Sequence, residues 1–221
     1  MTAKEFQDTF AIVKQEYTGN IPKREIFSLA KVYMNMPIPE VVKLLKNKDY
    51  LLRLSAVSIL DWKARNKNTS SEEKKNIYQA YMDNHYWIDD WGLVDRAAPY
   101  VVGGYLHGKD LTVLYDLAHS KNAMERRTAI TSTYYFIRKN ELTPTFKMAE
   151  ILVNDEEYFV QTAVGSWVRE AGKKDGGSLK NFLNQFAATM PRVALRMAME
   201  KLDVATRKHY LGLAKIHNKT N

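Results

Sequence analysis

The sequence from Trp87 to Gly104 reads WIDDWGLVDRAAPYVVGG, and its apolar residues recur with the period of an α-helix. Trp91 and Asp95 stand four residues apart, so a helix projects both side chains from one face, one turn apart. A carboxylate beside a large aromatic ring loses part of its hydration and is then paired, protonated or used in chemistry. Two interpretations stay open: a structural salt bridge of Asp95 beside a core tryptophan, or a functional site.

Helical period continues through most of the chain, and the alternation typical of strands is almost absent. Signals for helix starts recur at Thr2–Glu5, at Ser70–Glu73 and at Thr143–Pro144, where threonine is predicted to cap the helix. Pro99 predicts a kink in the helix that begins near Trp91. The sequence therefore predicts an all-α fold.

Several helices have predicted bounds. Long helices are predicted from about Tyr50 to Arg65 and from about Ala123 to Lys139, and others from Glu156 to Ala171 and from Ser178 to Ala188. The glycine-rich segment GKKDGG, residues 172–177, lies between the last two and is predicted to be a flexible loop.

Five segments of the chain resemble one another: LLRLSAVSIL, LVDRAAPYVV, MERRTAITST, YFVQTAVGSW and MPRVALRMAM. Setting them side by side aligns alanines at positions 56, 98, 129, 163 and 194, with spacings of 42, 31, 34 and 31 residues. Such spacing is typical of stacked two-helix units, in which a small residue lets neighbouring helices approach closely. This pattern predicts a helical-repeat solenoid whose second helices line a concave face.

The charge of the chain favours a polyanionic partner. Lys and Arg outnumber Asp and Glu by 33 to 25, which gives a net charge of +8 and a pI near 9.4. Basic or amide side chains recur just ahead of the aligned alanines, and they are predicted to contact a phosphate backbone at Arg53, Arg96, Arg126, Gln161 and Arg192. The plain alternative is a basic protein with arginines scattered over solvated faces.

Other chemistries find little support in the sequence. The chain has no cysteine, which excludes thiolate catalysis and cysteine-type zinc sites, and it lacks the common metal, nucleotide and hydrolase motifs. Its five histidines are too scattered for ligand spacing, so neither a metal nor another cofactor is expected. No run reaches the roughly 18 apolar residues of a spanning helix, so we expect a cytoplasmic protein that does not enter a membrane.

The segments WGLVDRAAP, ERRTAI, FVQTAVGSWVREAGK and MPRVALR, in this order and spacing, resemble the AlkD family of DNA alkylation-repair glycosylases from about Ile21 to Leu202. The resemblance implies one HEAT-like repeat domain over residues 1–221, with a basic concave face that holds duplex DNA. It also implies excision of cationic N3- and N7-alkylated purines without a metal. Trp91 falls on the family's active-site tryptophan, Asp95 on its catalytic aspartate and Arg127 on its active-site arginine.

The chain departs from the family pattern at three places. Met124 stands where an aromatic residue commonly precedes the active-site arginine, and the N-terminus leaves room for only one helix before Gly19, where family members usually have more. The third departure concerns a tryptophan. The second active-site tryptophan of the family would align with Ser166, and Trp167 stands one residue later. One residue turns a helical side chain by about 100°, so Trp167 either fills the core or contacts DNA. Two functions therefore stay open: a monomeric, metal-independent alkylpurine DNA glycosylase, and a non-catalytic paralogue that binds DNA structure or a protein partner.

Overall fold

The computed structural model describes the backbone of residues 1–220 and the side chains of residues 1–213. Regular structure in residues 1–220 is helical throughout, without a β-strand. The helices form two compact units, Met1–Leu106 and His107–Asn221. The predicted all-α helical-repeat class is confirmed, and the single domain over residues 1–221 stays a prediction.

The first unit is a two-layer stack of helices. One layer stacks α2 on α4 and α4 on α6, and the other places α3 between α1 and α5. We refer to α2, α4 and α6 as the inner helices of this unit. Its elements are α1 (Ala3–Gln15), α2 (Lys23–Val32), α3 (Ile38–Leu45), α4 (Tyr50–Arg65), α5 (Ser71–Asp83), α6 (Trp91–Ala98) and α7 (Gly104–Leu106).

The second unit repeats this plan. Its inner helices are α9, α12 and α14, which stack in that order, while α8 packs on α9, α11 on α12 and α13 on α12. Its elements are α8 (Thr112–Ala118), α9 (Ala123–Ser132), α10 (Tyr134–Arg138), α11 (Thr143–Leu152), α12 (Tyr158–Gly172), α13 (Gly176–Phe186), α14 (Arg192–Ala198) and α15 (Val204–Thr220).

Several local predictions are confirmed. Thr2 and Glu5 form a capping box, in which the Thr2 hydroxyl accepts from the Glu5 amide at 3.2 Å and the Glu5 carboxylate accepts from the Thr2 amide at 2.9 Å. Helix α4 has the predicted bounds. At Pro99 the regular α-helix is interrupted by a wider π-helical turn, Pro99–Gly103, which lies between α6 and α7.

Three predictions about helix ends are wrong. The helix predicted from Ala123 to Lys139 breaks at Thr133, whose hydroxyl donates to the Ile130 carbonyl at 2.6 Å in place of a continuing turn. Thr143 is the first residue of α11 and does not cap it. The predicted 172–177 loop is confined to Lys173–Asp175, because α12 extends to Gly172 and the Asp175 carboxylate accepts from two backbone amides and starts α13 at Gly176.

The five aligned alanines are all buried, as close helix packing requires, but they do not mark equivalent helix positions. Equivalent positions are counted from the N-cap residues of the five inner helices that carry an aligned alanine, α4, α6, α9, α12 and α14. These N-cap residues are Asp49, Asp90, Asn122, Glu157 and Pro191. On this count Trp91 is the first helical residue of α6, position N1, and Asp95 is its fifth, position N5. Arg127 is at N5 of α9. The alanine register was therefore wrong by one residue for α6 and α12 and by more for α14.

Candidate functional site

The first turn of α6 presents the Trp91 and Asp95 side chains. The Asp90 carboxylate caps the helix by accepting from the Gly92 amide at 2.7 Å, which fixes where the helix begins. Trp91 is 40% exposed, and Asp95 is partly buried one turn later on the same face. An indole open to solvent is unlike a core tryptophan, so the interpretation of Trp91 as a packing residue is wrong.

The residues around Trp91 hold it at the surface. A Cβ atom on Gly92 would lie 2.7 Å from the Tyr50 hydroxyl, so a larger residue at this position would displace the Tyr50 side chain. Burial raises the pKa of Tyr50 to about 12, and the Asp90 carboxylate adds to the rise. The Lys23 ammonium lies 5.5 Å from the centre of the Trp91 ring. The indole face is thus already in contact with a cation.

Arg127 is buried in the second unit, with 6% of its surface exposed. Its Nη1 atom donates to the Phe159 carbonyl and, at 3.2 Å, to the Thr162 hydroxyl. Thr162 occupies N5 of α12, the position that Arg127 occupies in α9. The guanidinium therefore joins the first turns of two successive inner helices.

The predicted phosphate contacts Arg53, Arg126 and Gln161 share a different arrangement at position N4. Each side chain folds back and donates to two carbonyl groups of the loop that precedes its own helix, at 2.8 to 3.3 Å. The two arginines also reach the loop before the next inner helix, where Arg53 binds Asp89 at 2.9 Å and Arg126 binds Asp155 at 2.6 Å. These side chains hold successive loops together.

Arg96 lies in a buried ionic cluster between α4 and α6. Its Nη1 atom is 2.6 Å from the Asp61 carboxylate, which Arg65 also binds at 2.8 Å. Burial raises the pKa of Asp61, and the two guanidinium groups oppose that rise. Burial likewise lowers the pKa of Arg96, whose guanidinium lies 4.5 Å from the Phe27 ring centre. Arg96 thus serves the contact between helices.

The remaining predicted residues lie in the second unit. The Trp167 indole nitrogen donates to the Thr131 hydroxyl at 3.1 Å, and its ring lies 4.9 Å from that of Tyr134. Trp167 is partly buried, with one edge held between α12 and α9. The Arg192 Nη1 atom donates to the Leu211 carbonyl at 3.1 Å, which joins α14 to α15.

The structure places Trp91 and Asp95 on one face of α6, and it places Lys23 beside the Trp91 ring and Tyr50 beside Gly92, which the sequence did not predict. Gly92 was the available signal, because a glycine directly after an exposed aromatic indicates close approach of another chain segment. Among side chains of residues 1–213, no group of His, Asp and Glu is arranged to hold a metal ion. None of the helices described is long and apolar enough to cross a membrane.

Comparison with known proteins places the chain in a family. A family model described as DNA alkylation repair enzyme matches residues 2–202, and the chain belongs to that family. The fold is similar to the solved structure of a predicted DNA alkylation repair enzyme from Enterococcus faecalis, with a TM-score of 0.65 and 17% identity over 92% of this chain and 98% of that one. No curated protein matches the sequence. Membership supports a general role in DNA alkylation repair.

Proposed function

We propose that this protein is a DNA glycosylase that hydrolyses the N-glycosidic bond of cationic N3- and N7-alkylated purines in duplex DNA. The observation that carries the proposal is the first turn of α6, where the exposed Trp91 ring and the Asp95 carboxylate share one helix face in a DNA alkylation repair protein. The proposal assigns the chemistry to the carboxylate and the recognition of positive charge to the ring.

The chemistry requires only one carboxylate. Alkylation at N3 or N7 makes the purine cationic, so the base leaves as a neutral molecule and no general acid is needed, unlike in glycosidases with two carboxyl groups. As the bond breaks, positive charge grows on the deoxyribose. Asp95 would stabilise that charge and orient the attacking water.

Trp91 would pack against the sugar and attract its growing positive charge. A cation over an indole face gains about 0.5 to 2 kcal/mol. The Lys23 ammonium already lies 5.5 Å from the ring centre, so a cation can reach that face of the indole. In this proposal the substrate cation takes the place of the lysine ammonium.

Arg127 would bind a phosphate of the substrate, with its guanidinium oriented by the Phe159 carbonyl and the Thr162 hydroxyl. Arg53, Arg126 and Gln161 would act by fixing the loops before the inner helices, while Arg96 would fix α6 against α4. Arg192 and the exposed edge of Trp167 are the other proposed DNA contacts. We also propose that the protein acts as a monomer in the cytoplasm.

The test is release of 7-methylguanine and 3-methyladenine from methylated duplex DNA. We expect the wild type to release base and Asp95→Asn to lose activity by about 100-fold or more, the scale of losing one electrostatic stabiliser of a transition state. Asp116→Asn is the matched control, because Asp116 is exposed on α8. A folded wild-type protein that releases no base would refute the proposal.

A second candidate is a non-catalytic protein that binds DNA structure or a protein partner. It is favoured by the engaged state of Trp167, whose nitrogen and ring both have partners within the second unit. Binding to undamaged duplex that weakens steeply with salt, without release of any base, would support the DNA-binding form. Absence of both binding and release would support the protein-partner form.

A further inference from the structure

A cleft of about 700 Å³ lies between α14 and α15, and we call it the terminal cleft. Its wall includes Arg192, Arg196, Arg207 and Lys208, and its apolar surface includes Met199 and Leu211. All of these residues belong to the second unit, so the cleft is built within one compact body. Its volume is in the range of small-molecule sites in proteins, about 300 to 1,000 Å³.

The positive charge of the terminal cleft is not neutralised by carboxylates of residues 1–213. Arg196, Arg207 and Lys208 form no salt bridge with any described side chain. Glu200 is the one acidic residue at the wall, and its carboxylate is held by Arg169 and by Lys201, which lower its pKa. Residues 204–220 contain no Asp or Glu. The cleft therefore carries an excess of cations.

Two further observations point to a ligand. The Nε atom of Arg207 is buried and has no hydrogen-bond partner among the described residues, which is costly for a charged group. Arg192 is held by its bond to the Leu211 carbonyl, so one guanidinium is fixed across the cleft. Fixed and unneutralised guanidinium groups are suited to a phosphate, which accepts several charge-assisted hydrogen bonds.

The apolar surface of the terminal cleft indicates which class of phosphate ligand would bind there. Leu211 is partly exposed, and Val204 at the rim is 72% exposed. A bare inorganic anion would leave this surface in water, whereas a phosphate joined to a flat apolar body would cover it. Cations beside an apolar floor are the arrangement that a nucleotide unit needs.

We propose that the terminal cleft binds the phosphate of a nucleotide unit, with the base over Val204 and Leu211. The nucleotide is a free one, and it is distinct from the duplex DNA to which Arg192 was assigned above. This inference concerns a site other than the Trp91–Asp95 face, and it does not depend on glycosylase activity.

The experiment measures binding of adenosine monophosphate and of adenosine to the full chain by calorimetry, and binding of an undamaged labelled duplex by fluorescence anisotropy. The cleft variant is Arg196→Glu with Lys208→Glu, two exposed positions. The control is Lys180→Glu, which changes an exposed lysine of α13 outside the cleft. Arg207→Met is a second cleft variant, and circular dichroism verifies that each protein is folded.

For a free nucleotide, adenosine monophosphate binds, adenosine does not, and the cleft variants weaken binding by about tenfold or more. If only the duplex binds and the cleft variants weaken that binding relative to Lys180→Glu, the cleft is a DNA contact and the inference is overturned. The inference is overturned if cleft variants and control bind both probes equally, or if the wild type binds neither. None of these probes is methylated, so the binding result would stand even if the protein released no alkylated base.

Discussion

Arginines of the inner helices α4, α6 and α9 and arginines of the terminal cleft have opposite surroundings. Arg53, Arg96 and Arg126 each bind an aspartate, at 2.6 to 2.9 Å. Arg196 and Arg207 bind no carboxylate among residues 1–213. The same residue type holds helices together in one region and leaves positive charge for a ligand in the other. The net charge of +8 therefore does not show by itself where an anion binds.

The largest effect is expected from breaking the buried cluster of the first region. Asp61→Ala leaves Arg96 and Arg65 without their shared carboxylate, and removing one partner of a buried pair costs about 3 to 5 kcal/mol. Urea unfolding measures the loss. Asp116→Ala, an exposed control, should change the free energy of unfolding by less than about 0.5 kcal/mol. Equal effects of the two substitutions would show that the cluster does not stabilise the fold.

The next effect compares one arginine from each region. Arg126→Met removes the bonds to Asp155 and to two loop carbonyls, and we expect a loss of about 2 to 3 kcal/mol. Arg207→Met removes a guanidinium that has no carboxylate partner among the described residues and should stay within about 0.5 kcal/mol of wild type. Thermal and urea unfolding measure the free energy of unfolding of both variants. A larger loss for Arg207→Met than for Arg126→Met would contradict this expectation.

A smaller effect is expected from adding a Cβ atom at two glycines, one between inner helices and one at the terminal cleft. A Cβ atom on Gly165 would lie 2.5 Å from the Ala194 carbonyl oxygen, so Gly165→Ala forces α12 and α14 apart at a cost of about 1 to 3 kcal/mol. Gly212 in α15 has nothing within 4 Å of its Cβ position, so Gly212→Ala should stabilise by about 0.5 to 1 kcal/mol through helix propensity. Calorimetry should therefore show a lower melting temperature than the wild type for Gly165→Ala and a higher one for Gly212→Ala.

The smallest effect is a titration. The folded-state pKa of Tyr50, about 12, lies above the ordinary tyrosine value of 10.0, so stabilisation by the neutral phenol is complete below pH 10 and is lost as the pH rises through 12. Phenolate absorbance of the wild type minus that of Tyr50→Phe should show this tyrosine ionising near 12. Asp90→Asn should lower that pKa, because it removes a nearby negative charge. A wild-type value near 10 would contradict the burial of Tyr50.

Much of the fold followed from local signals. The Thr2 capping box, the bounds of α4 and the disruption at Pro99 each depend on residues within a few positions of one another, and all three are confirmed. The break at Thr133 was missed because a hydroxyl that bonds its own backbone leaves no mark on the apolar period.

The partners of the arginines could not be predicted from local pattern. Arg53 and Asp89 are 36 residues apart, and Arg126 and Asp155 are 29 apart, so each pair forms only when two repeats stack. Recurring arginine indicated repetition correctly but did not distinguish a ligand contact from a loop contact. The pairing of Trp91 with Asp95 was predictable, because both lie on one helix separated by four residues.

The N-cap count has a consequence for engineering. Position N5 holds Leu54, Asp95, Arg127, Thr162 and Arg196 in the five inner helices that share this count. Each of these side chains lies at the same height above the start of its helix, so each repeat offers one equivalent position for a functional side chain. A variant with Asp95→Asn and Thr162→Asp would place the carboxylate at the same position of α12 that it occupies in α6, among different neighbouring residues. The chain is therefore a natural host for transplanting a single reactive group along a repeat array.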